Sequence, residues 1–324
     1  MAQFSRYISK QISHCFPAPK LFRATTPLFL PFYHTVSNNT LKHVTNYPYR
    51  NEKDFEQELD YILKYFEPVS LEDVYKNTTH SKPVFHLSFD DGLRECSEVI
   101  APVLLKKGIP ASFFVNTGFV NNKALFHRYK ASILLNELLL DPDSETENFL
   151  KKNGLPLTKL LQAGVEQTPV LDEAAEMMYL DFNMFLKKYK PYLTTSQIKT
   201  LHEQGFSIGG HSHEHSEFWN LPKKKQLKEI ATSMDWITSK INPKIKAFAF
   251  PYTDHGVSGK ILKKAVEDQI CDITFGTAGL KHDSVPTHFQ RVPMETGGPI
   301  ETNLKTEFVY YKLRKFIGKA TVRH

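Results

Sequence analysis

The sequence predicts an α/β fold in which parallel strands alternate with helices. Two apolar runs, residues 84–89 and 111–115, are separated by residues 95–107, whose apolar positions have helical spacing. A connection of this length is too long for a hairpin and is typical of a crossover between parallel strands. In such folds the functional side chains gather at the carboxyl ends of the strands. Asp90 and Asp91 directly follow the first run, so we expect them at that end.

The segments before this unit predict one more strand and two helices. Residues 28–33 are apolar and lead into His34, which predicts a first strand that ends at this histidine. Residues 55–66 have the apolar spacing of a helix with one buried face. Ser70, with an acidic residue three positions later, predicts a second helix start through a capping box. Residues 1–26 are polar and basic without a clear period, and we expect a tail or a loosely docked arm.

A helical insertion is expected after the strand at 111–115. Residues from about 118 to 192 contain helical patterns and an acidic stretch but no convincing strand. Because the β/α alternation resumes afterwards, we interpret them as an insertion within one domain over residues 27–324, forming a wall or lid of a site. The run Phe126-His127-Arg128-Tyr129 mixes aromatic rings with a cation. A sugar-binding wall and ordinary helix packing explain it equally well, so we assign it no role.

The remaining segments continue the alternation of helices and strands. Helices are predicted over residues 195–204, 222–241, 260–269 and 303–317, and strands over residues 206–208, 247–250, 273–275 and 290–294.

The composition argues against several classes of protein. The 324 residues are 41% hydrophobic and 23% charged with a formal net charge of +6, which is ordinary for a globular chain. Cys15, Cys96 and Cys271 are far apart, which argues against a disulfide framework or a cysteine zinc site. Basic residues are spread along the chain and form no stripe with interleaved aromatics, so we expect no nucleic-acid partner.

The compartment is predicted from the absence of targeting signals. The N-terminal apolar run, residues 27–33, is short and contains proline, and no small-residue cleavage site follows it. No window approaches the roughly 20 apolar residues of a spanning helix. We therefore expect a cytoplasmic protein without a transmembrane segment. A membrane-peripheral location through the basic C-terminal helix stays open, as does the oligomeric state.

Two motifs carry candidate chemistry, and the first is a histidine pair. His211 and His215 are four residues apart, so on a helical turn both imidazoles face the same way and His213 points elsewhere. The pair follows Gly209-Gly210, which we interpret as a turn at a strand end. Surface or capping histidines are the alternative for such a pair taken alone.

The second motif is the adjacent carboxylates Asp90 and Asp91. Asp before Gly also marks turns and helix caps, so the pair alone is ambiguous. Adjacent side chains diverge, which would let one carboxylate bind a cation while the other faces the water held there. Two imidazoles and one carboxylate leave positions open for water and substrate, as a catalytic site requires. This donor set suits zinc, and also iron, cobalt or nickel.

These motifs resemble those of a known family. Ser88-Phe89-Asp90-Asp91-Gly92 and the His-Ser-x-x-His at residues 211–215 are similar to the first two motifs of the polysaccharide deacetylase family. This is carbohydrate esterase family 4, the NodB homology domain, and the similarity extends from about residue 34 to 294. The resemblance implies a distorted (β/α) barrel of about seven strands. It also implies a metal-dependent hydrolase that removes N- or O-linked acetyl groups from a polysaccharide, oligosaccharide or glycan precursor, and so acts on carbon–nitrogen (non-peptide) bonds in the N-linked case.

The resemblance also assigns roles to residues. It implies Asp90 as the general base, Asp91, His211 and His215 as ligands of a divalent metal, most readily Zn²⁺, and the backbone N–H of Tyr252 as an oxyanion donor. In such a mechanism the cation lowers the pKa of water and polarises the acetyl carbonyl, while the base takes the proton of the attacking water.

The chain departs from the family pattern at two places. Ala249 stands where the family commonly has an arginine that tethers the catalytic aspartate. Arg291 could take that role from a later strand, or it could be an ordinary surface arginine. The histidine that commonly serves as general acid has no clean match either. Candidates are His34, His255, His282 and His288, and His34 is the first choice because it ends the first predicted strand.

Two other functions stay open on the sequence. A related metal-dependent amidase could act on a small non-sugar substrate with the same chemistry. A weakly active glycan-binding relative could keep the fold, which the missing acid histidine favours. Asp90 argues against the latter, because a binding protein needs no base beside a metal.

Overall fold

The computed structural model describes residues 2–23 and 28–324. The strands are β1 (Leu28–Phe29), β2 (Pro31–Tyr33), β3 (Glu67–Pro68), β4 (Val84–Phe85), β5 (Leu87–Phe89), β6 (Ala111–Val115), β7 (Ser207–Gly210), β8 (Ala247–Ala249), β9 (Ile273–Gly276), β10 (His282–Asp283), β11 (His288–Gln290), β12 (Val292–Pro293) and β13 (Thr321–Val322). The α-helices are α1 (Ala2–Ser13), α2 (Ala18–Arg23), α3 (Glu52–Leu63), α4 (Leu71–Tyr75), α5 (Ala101–Lys107), α6 (His127–Leu140), α7 (Ser144–Lys152), α8 (Leu157–Leu160), α9 (Thr168–Met177), α10 (Phe182–Tyr189), α11 (Thr195–Glu203), α12 (Lys223–Lys240), α13 (Gly259–Glu267) and α14 (Ile300–Phe316). A π-helical turn, Cys96–Ile100, leads into α5.

Eight parallel strands form a barrel that one chain segment closes. Their order is β11-β9-β8-β7-β6-β5-β2-β12. The two terminal strands, β11 and β12, are consecutive in the chain and are separated only by Arg291. β11 pairs with β9 and β12 pairs with β2, so residues 288–293 join both edges of the sheet. Counting this segment as one strand gives the seven strands expected, and the predicted barrel fold is confirmed.

The register brings the predicted site residues to one end of this barrel. Tyr33 pairs with Phe89, so His34 and Asp90 follow neighbouring strands at the same level. The N–H of Asp90 donates to the carbonyl of Tyr33 at 2.9 Å, and the N–H of His211 donates to that of Val115 at 3.0 Å. These ladder bonds continue past the ends of β5 and β7 and hold the backbone of both motifs.

Two predicted strands are each divided between two sheets. The runs at 28–33 and 84–89 break at Leu30 and His86, and their first halves form the three-stranded sheet β1-β4-β3. The His86 ring is held by the carbonyl of Val69 and the hydroxyl of Ser112, both at 2.8 Å. Because these partners lie outside the run itself, hydrophobic spacing alone did not indicate the break.

The N-terminal arm differs from the expectation. It contains α1 and α2, which pack against α14. Arg6 pairs with Glu307 at 2.6 Å, and Leu21 and Phe22 are buried in the main core. The helices are short, and the Arg6 partner lies 301 residues away in the chain, so the local sequence did not indicate the docking. Residues 1 and 24–26 of the predicted arm lie outside the described residues.

The segment between β6 and α11 carries the helices α6 to α10, in agreement with the predicted helical insertion. Buried residues of α6, α7 and α9 pack on one another, among them Leu134, Leu150 and Leu171. Its membership of one domain over residues 27–324 stays a prediction. Among the described residues, no helix combines the length and apolar character needed to cross a membrane.

Candidate active site

Asp90 and Asp91 diverge because the chain reverses immediately after β5. Asp91 and Gly92 both have left-handed backbone conformations, with φ of 71° and 66°. A Cβ at Gly92 would lie 2.9 Å from Cγ1 of Val115, so this position needs glycine for both its conformation and its space. The reversal sends the two carboxylates to different partners, as the adjacent positions predicted.

The histidine motif lies on a loop, and two interpretations of it were wrong. Gly209 and Gly210 belong to β7 and form no turn. A Cβ at Gly210 would meet Ser233 Oγ at 2.6 Å, so glycine here lets β7 approach α12 closely. The loop that follows is not a helical turn, because Ser212 and His215 have φ of 64° and 56°.

The loop nevertheless brings the two predicted imidazoles together. The rings of His211 and His215 have centroids 5.0 Å apart. His213 points away from this pair and bonds through Nδ1 to the hydroxyl of Thr117 at 3.0 Å. The prediction that His213 lies outside the ligand group agrees with this geometry.

Asp91, His211 and His215 form a group with the geometry of a metal site. Their ligand atoms lie within 4.8 Å of one another, and all three residues are buried. Asp91 Oδ1 lies 3.1 Å from His215 Nε2 and 3.6 Å from His211 Nε2. The shorter contact lacks hydrogen-bond geometry, so within the described part of the chain Asp91 Oδ1 is buried without a hydrogen-bond donor. Such an orphaned carboxylate oxygen facing two imidazoles fits a divalent cation.

The protonation states of His211 and Asp91 also favour a metal site. The Nδ1–H of His211 donates to the carbonyl of Ala249 at 2.8 Å, which leaves Nε2 with a lone pair toward Asp91. Burial lowers the pKa of His211 to about 4, against the opposing charges of Asp90 and Asp91. Burial would raise the pKa of Asp91, but the neighbouring His215, together with His34 and His211, outweighs burial and holds that pKa well below its ordinary value. The site therefore contains an ionised carboxylate and a neutral imidazole, which are the metal-binding forms.

Two tyrosines that sequence reasoning missed hold the other Asp91 oxygen. The hydroxyl of Tyr129 donates to Asp91 Oδ2 at 2.8 Å, and that of Tyr47 lies 3.5 Å from the same atom. Tyr129 belongs to the aromatic run at 126–129, to which no role was assigned. The aromatic cluster at 126–129 was the one feature of the sequence that could have drawn attention to Tyr129. Nothing in the local sequence links that cluster to Asp91.

Asp90 pairs with Arg291 inside the barrel. Nη1 and Nη2 of Arg291 donate to the two Asp90 oxygens, each at 2.7 Å. Arg291 is 1% exposed, so the surface interpretation is wrong, and its guanidinium lies over the ring of Phe32 at 4.4 Å. Burial alone would raise the pKa of Asp90, but the Arg291 guanidinium, together with His211 and His34, outweighs burial and lowers that pKa. Asp90 Oδ2 also lies 3.9 Å from His211 Nε2, beside the candidate metal ligands.

Of the four candidate acid histidines, His34 lies at this site. Its Nδ1 contacts the carboxylate of Glu295, which also accepts the N–H of His34 at 2.8 Å. Burial lowers the pKa of His34, but Glu295, helped by Asp91 and Asp90, outweighs it and raises the pKa to about 9. Sequence reasoning missed Glu295. It follows the end of the last barrel strand, which is the same signal that identified Asp90.

The other three candidates lie elsewhere. His255 is exposed on the loop after β8, and His282 is exposed on β10 with its ring near Tyr311. His288 is buried and bonds to Asp254 at 3.0 Å.

Tyr252 has a strained backbone at the edge of the site. Its φ is 57°, and its carbonyl accepts a bond from the Thr277 hydroxyl at 3.0 Å. Within the described residues its own N–H donates to no group. Its ring meets that of His215 edge-on with centroids 4.5 Å apart.

These groups surround a cavity of about 320 Å³. The insertion supplies one wall, because the Phe126 ring lies 4.4 Å from His215 and the Arg128 guanidinium 4.0 Å from the Tyr252 ring. The cavity is lined by Phe32, His34, Asn46, Tyr47, Asp90, Asp91, Phe126, Arg128, His215, Tyr252, Thr277 and Pro293.

Comparisons with known proteins agree with this geometry. A family model described as polysaccharide deacetylase matches residues 77–268, more than half of the chain. Curated protein sequences give no significant match. Three similar structures, each 16% identical, are the Streptococcus pyogenes deacetylase PplD in complex with acetate, IcaB from Ammonifex degensii and a de-N-acetylase from Aggregatibacter actinomycetemcomitans.

These three structures align over most of their length. Their TM-scores are 0.56, 0.55 and 0.51, with 88%, 89% and 85% of this chain and 99%, 98% and 98% of the other chain covered, respectively. Identities this low show a shared fold alone.

Proposed function

Because the chain belongs to the polysaccharide deacetylase family, we propose that its cavity binds an acetylated saccharide and that Asp90, Asp91, His211 and His215 form the hydrolytic centre. Carbohydrate deacetylation is the activity of this family, in agreement with the predicted class of enzyme. One observation carries the assignment of roles. Two adjacent carboxylates are separated so that Asp91 faces two imidazoles and Asp90 faces a guanidinium.

Asp91, His211 and His215 would hold a divalent cation, for which we propose Zn²⁺, with Co²⁺, Ni²⁺ or Fe²⁺ as substitutes. When bound, such a cation polarises the acetyl carbonyl and lowers the pKa of water. Among the described residues, the hydroxyls of Tyr129 and Tyr47 donate to Asp91 Oδ2, and the Nδ1–H of His211 donates to the carbonyl of Ala249. Such partners orient ligands and fix the histidine tautomer.

Asp90 accepts the proton of the attacking water. It is ionised beside Arg291, and its Oδ2 lies 3.9 Å from His211 Nε2, next to the ligand group. The bidentate guanidinium fixes the plane of the carboxylate, so the base is oriented before substrate binds. Arg291 thereby takes the place of the tether that Ala249 cannot supply.

His34 donates the proton to the leaving nitrogen or oxygen. The raised pKa near 9 keeps the ring protonated at neutral pH, as a general acid requires. The N–H of Tyr252, which has no acceptor among the described residues, is a donor for the oxyanion that develops on the acetyl carbonyl.

The aromatic and cationic wall of Phe126, Arg128 and Tyr252 supports a sugar as the substrate. Aromatic faces bind the apolar side of sugar rings, while a guanidinium donates hydrogen bonds to hydroxyl oxygens. The predicted cytoplasmic or membrane-peripheral location stays a prediction, which fractionation of expressing cells would test.

The experiment that tests the roles compares Asp90→Asn with Asp91→Asn. Acetate release is measured from an N-acetylglucosamine oligosaccharide and an O-acetylated xylo-oligosaccharide, together with the metal content of each variant. We expect Asp90→Asn to lose at least about 100-fold in kcat while keeping the metal at this site. We expect Asp91→Asn to lose both.

The exposed His255→Gln serves as a matched control and should keep wild-type activity. Loss of metal in Asp90→Asn, or an unchanged rate, would show that the roles are misassigned. Metal-dependent hydrolysis of non-sugar acetamides alone would instead favour the amidase.

A further inference from the structure

A second group of metal-ligand side chains lies outside the cavity. It comprises Asp254 on the loop after β8, Asp283 at the end of β10, His288 at the start of β11 and His324 after β13. One ligand atom from each lies within 4.8 Å of all the others. None of the four side chains is more than 4% exposed. Three parts of the chain, around Asp254, around residues 283–288 and at His324, therefore place two carboxylates and two imidazoles together.

The distances between these atoms match those around one small cation. His288 Nε2 lies 3.0 Å from Asp254 Oδ2, and His324 Nε2 lies 2.9 Å from Asp283 Oδ2 and 3.7 Å from Asp254 Oδ2. Bonds of about 2.0 Å to a tetrahedral zinc ion place neighbouring ligand atoms about 3.3 Å apart. A small adjustment of these side chains would therefore complete a four-ligand shell.

Both imidazoles are oriented by bonds on their other nitrogen. His324 Nδ1–H donates to the carbonyl of Val257 at 3.0 Å, so Nε2 faces the carboxylates. His288 Nδ1 bonds to the hydroxyl of Thr274 at 2.7 Å. This arrangement, with Nδ1 bonded outward and Nε2 facing the ligand group, is typical of metal-binding histidines.

The charges of the group call for a cation. Two buried carboxylates carry two negative charges, and the shared donor, Gln290 Nε2 at 2.6 and 2.9 Å, is neutral. Without a metal, both His288 and His324 would have to be protonated to balance these charges, whereas a divalent ion balances both carboxylates while the imidazoles stay neutral. Gly276 also leaves space here, because a Cβ would lie 2.5 Å from the Asp254 carboxylate.

From this geometry we propose that Asp254, Asp283, His288 and His324 bind a second divalent metal ion of the zinc type, with a structural role. Four protein ligands leave no open position for catalysis. The ion ties the β10-β13 pair and β11 to the loop that follows Tyr252. The alternative is a metal-free network of ion pairs.

Zinc stoichiometry in a background without the active-site ligands tests the proposal. The variant Asp91→Asn/His211→Gln is loaded with Zn²⁺, separated from unbound metal by gel filtration, and its zinc content is measured by elemental mass spectrometry. We expect about one equivalent to remain. Adding Asp283→Asn/His324→Gln should abolish binding, whereas adding the control His255→Gln should not. No zinc in the first variant, or equal zinc after the added substitutions, overturns the proposal.

Two further measurements test the proposal even if the variant that also carries Asp283→Asn/His324→Gln does not fold. Co²⁺ loaded into Asp91→Asn/His211→Gln should give the strong visible absorption of a tetrahedral site, and a weak octahedral spectrum contradicts the proposal. In the same variant a chelator should lower Tm by about 5 °C or more. An unchanged Tm contradicts the structural role. Neither measurement depends on deacetylation, so failure of the proposed function would leave these results unaffected.

Discussion

At the scale of single residues, adjacent carboxylates acquire different roles from their partners. Asp90 and Asp91 are both buried and both have lowered pKa values, but a guanidinium holds the first and imidazoles surround the second. A third carboxylate, Glu295, raises the pKa of the neighbouring His34 through its negative charge. One face of the barrel thus holds an ionised base and a protonated acid at the same pH.

The pH profile of deacetylation should report the pairing of His34 with Glu295. Glu295→Gln keeps an oxygen for the N–H groups of His34 and Thr35 but removes the charge. Burial lowers the pKa of His34, and the charge of Glu295 no longer opposes this effect in the variant. The pKa of His34 therefore falls from about 9, and the acid loses its proton at lower pH. We expect kcat to fall about tenfold at pH 8 and to change little at pH 6.

Steady-state rates between pH 5 and 10 check this prediction. Glu267→Gln, which neutralises an exposed carboxylate on α13, should reproduce the wild-type profile. An equal loss of kcat at every pH would indicate that Glu295 has only a structural role and that another group supplies the proton.

At the scale of elements, α6 of the insertion completes a site that the barrel begins. Tyr129 reaches Asp91 from α6, across 38 residues of sequence. We expect Tyr129→Phe to weaken Zn²⁺ binding by about 10- to 100-fold, because Asp91 Oδ2 loses its closest donor. Competitive titration against a chromophoric chelator measures this, in the Asp283→Asn/His324→Gln background.

The matched control for this prediction is Tyr192→Phe. Tyr192 is equally buried, but its hydroxyl accepts the N–H of Phe126 and does not bond to Asp91. We expect its Zn²⁺ affinity to stay within about threefold of the parent. If both variants bind equally well, the tyrosine bond does not orient the ligand.

Sequence reasoning succeeded where a signal was local. The apolar run at 84–89 located the end of β5 and with it Asp90, whereas the run at 206–208 placed the end of β7 two residues too early, because Gly209 and Gly210 belong to that strand. His215 was found by its spacing, although left-handed residues and not a helical turn bring it to His211. Tyr129 and the break at His86 were missed because their partners are set by tertiary contacts, which periodicity does not contain.

At the scale of the whole molecule, the ion pair of Asp90 and Arg291 joins catalysis to barrel closure. Arg291 lies between β11 and β12, where the sheet closes, and its side chain crosses the interior among the rings of Phe32, Phe114 and Phe275. The residue that positions the proposed base is therefore also part of the core. Its loss should affect stability as well as rate.

Arg291→Met should destabilise the fold by about 3–5 kcal/mol at pH 8, because it leaves the Asp90 carboxylate buried without a partner. In the wild type the lowered pKa of Asp90 contributes stability that is present above its ordinary value of 3.8 and is lost only below it, so this contribution changes little between pH 8 and pH 5. In the variant burial dominates and raises that pKa, so protonation in the folded state becomes favourable and the deficit shrinks toward pH 5. Adding Asp90→Asn removes the charge and should recover at least half of the loss at pH 8. Urea unfolding of the wild type and the two variants at both pH values tests this. A deficit that changes neither with pH nor with the second substitution would mean that Arg291 stabilises the barrel through packing alone.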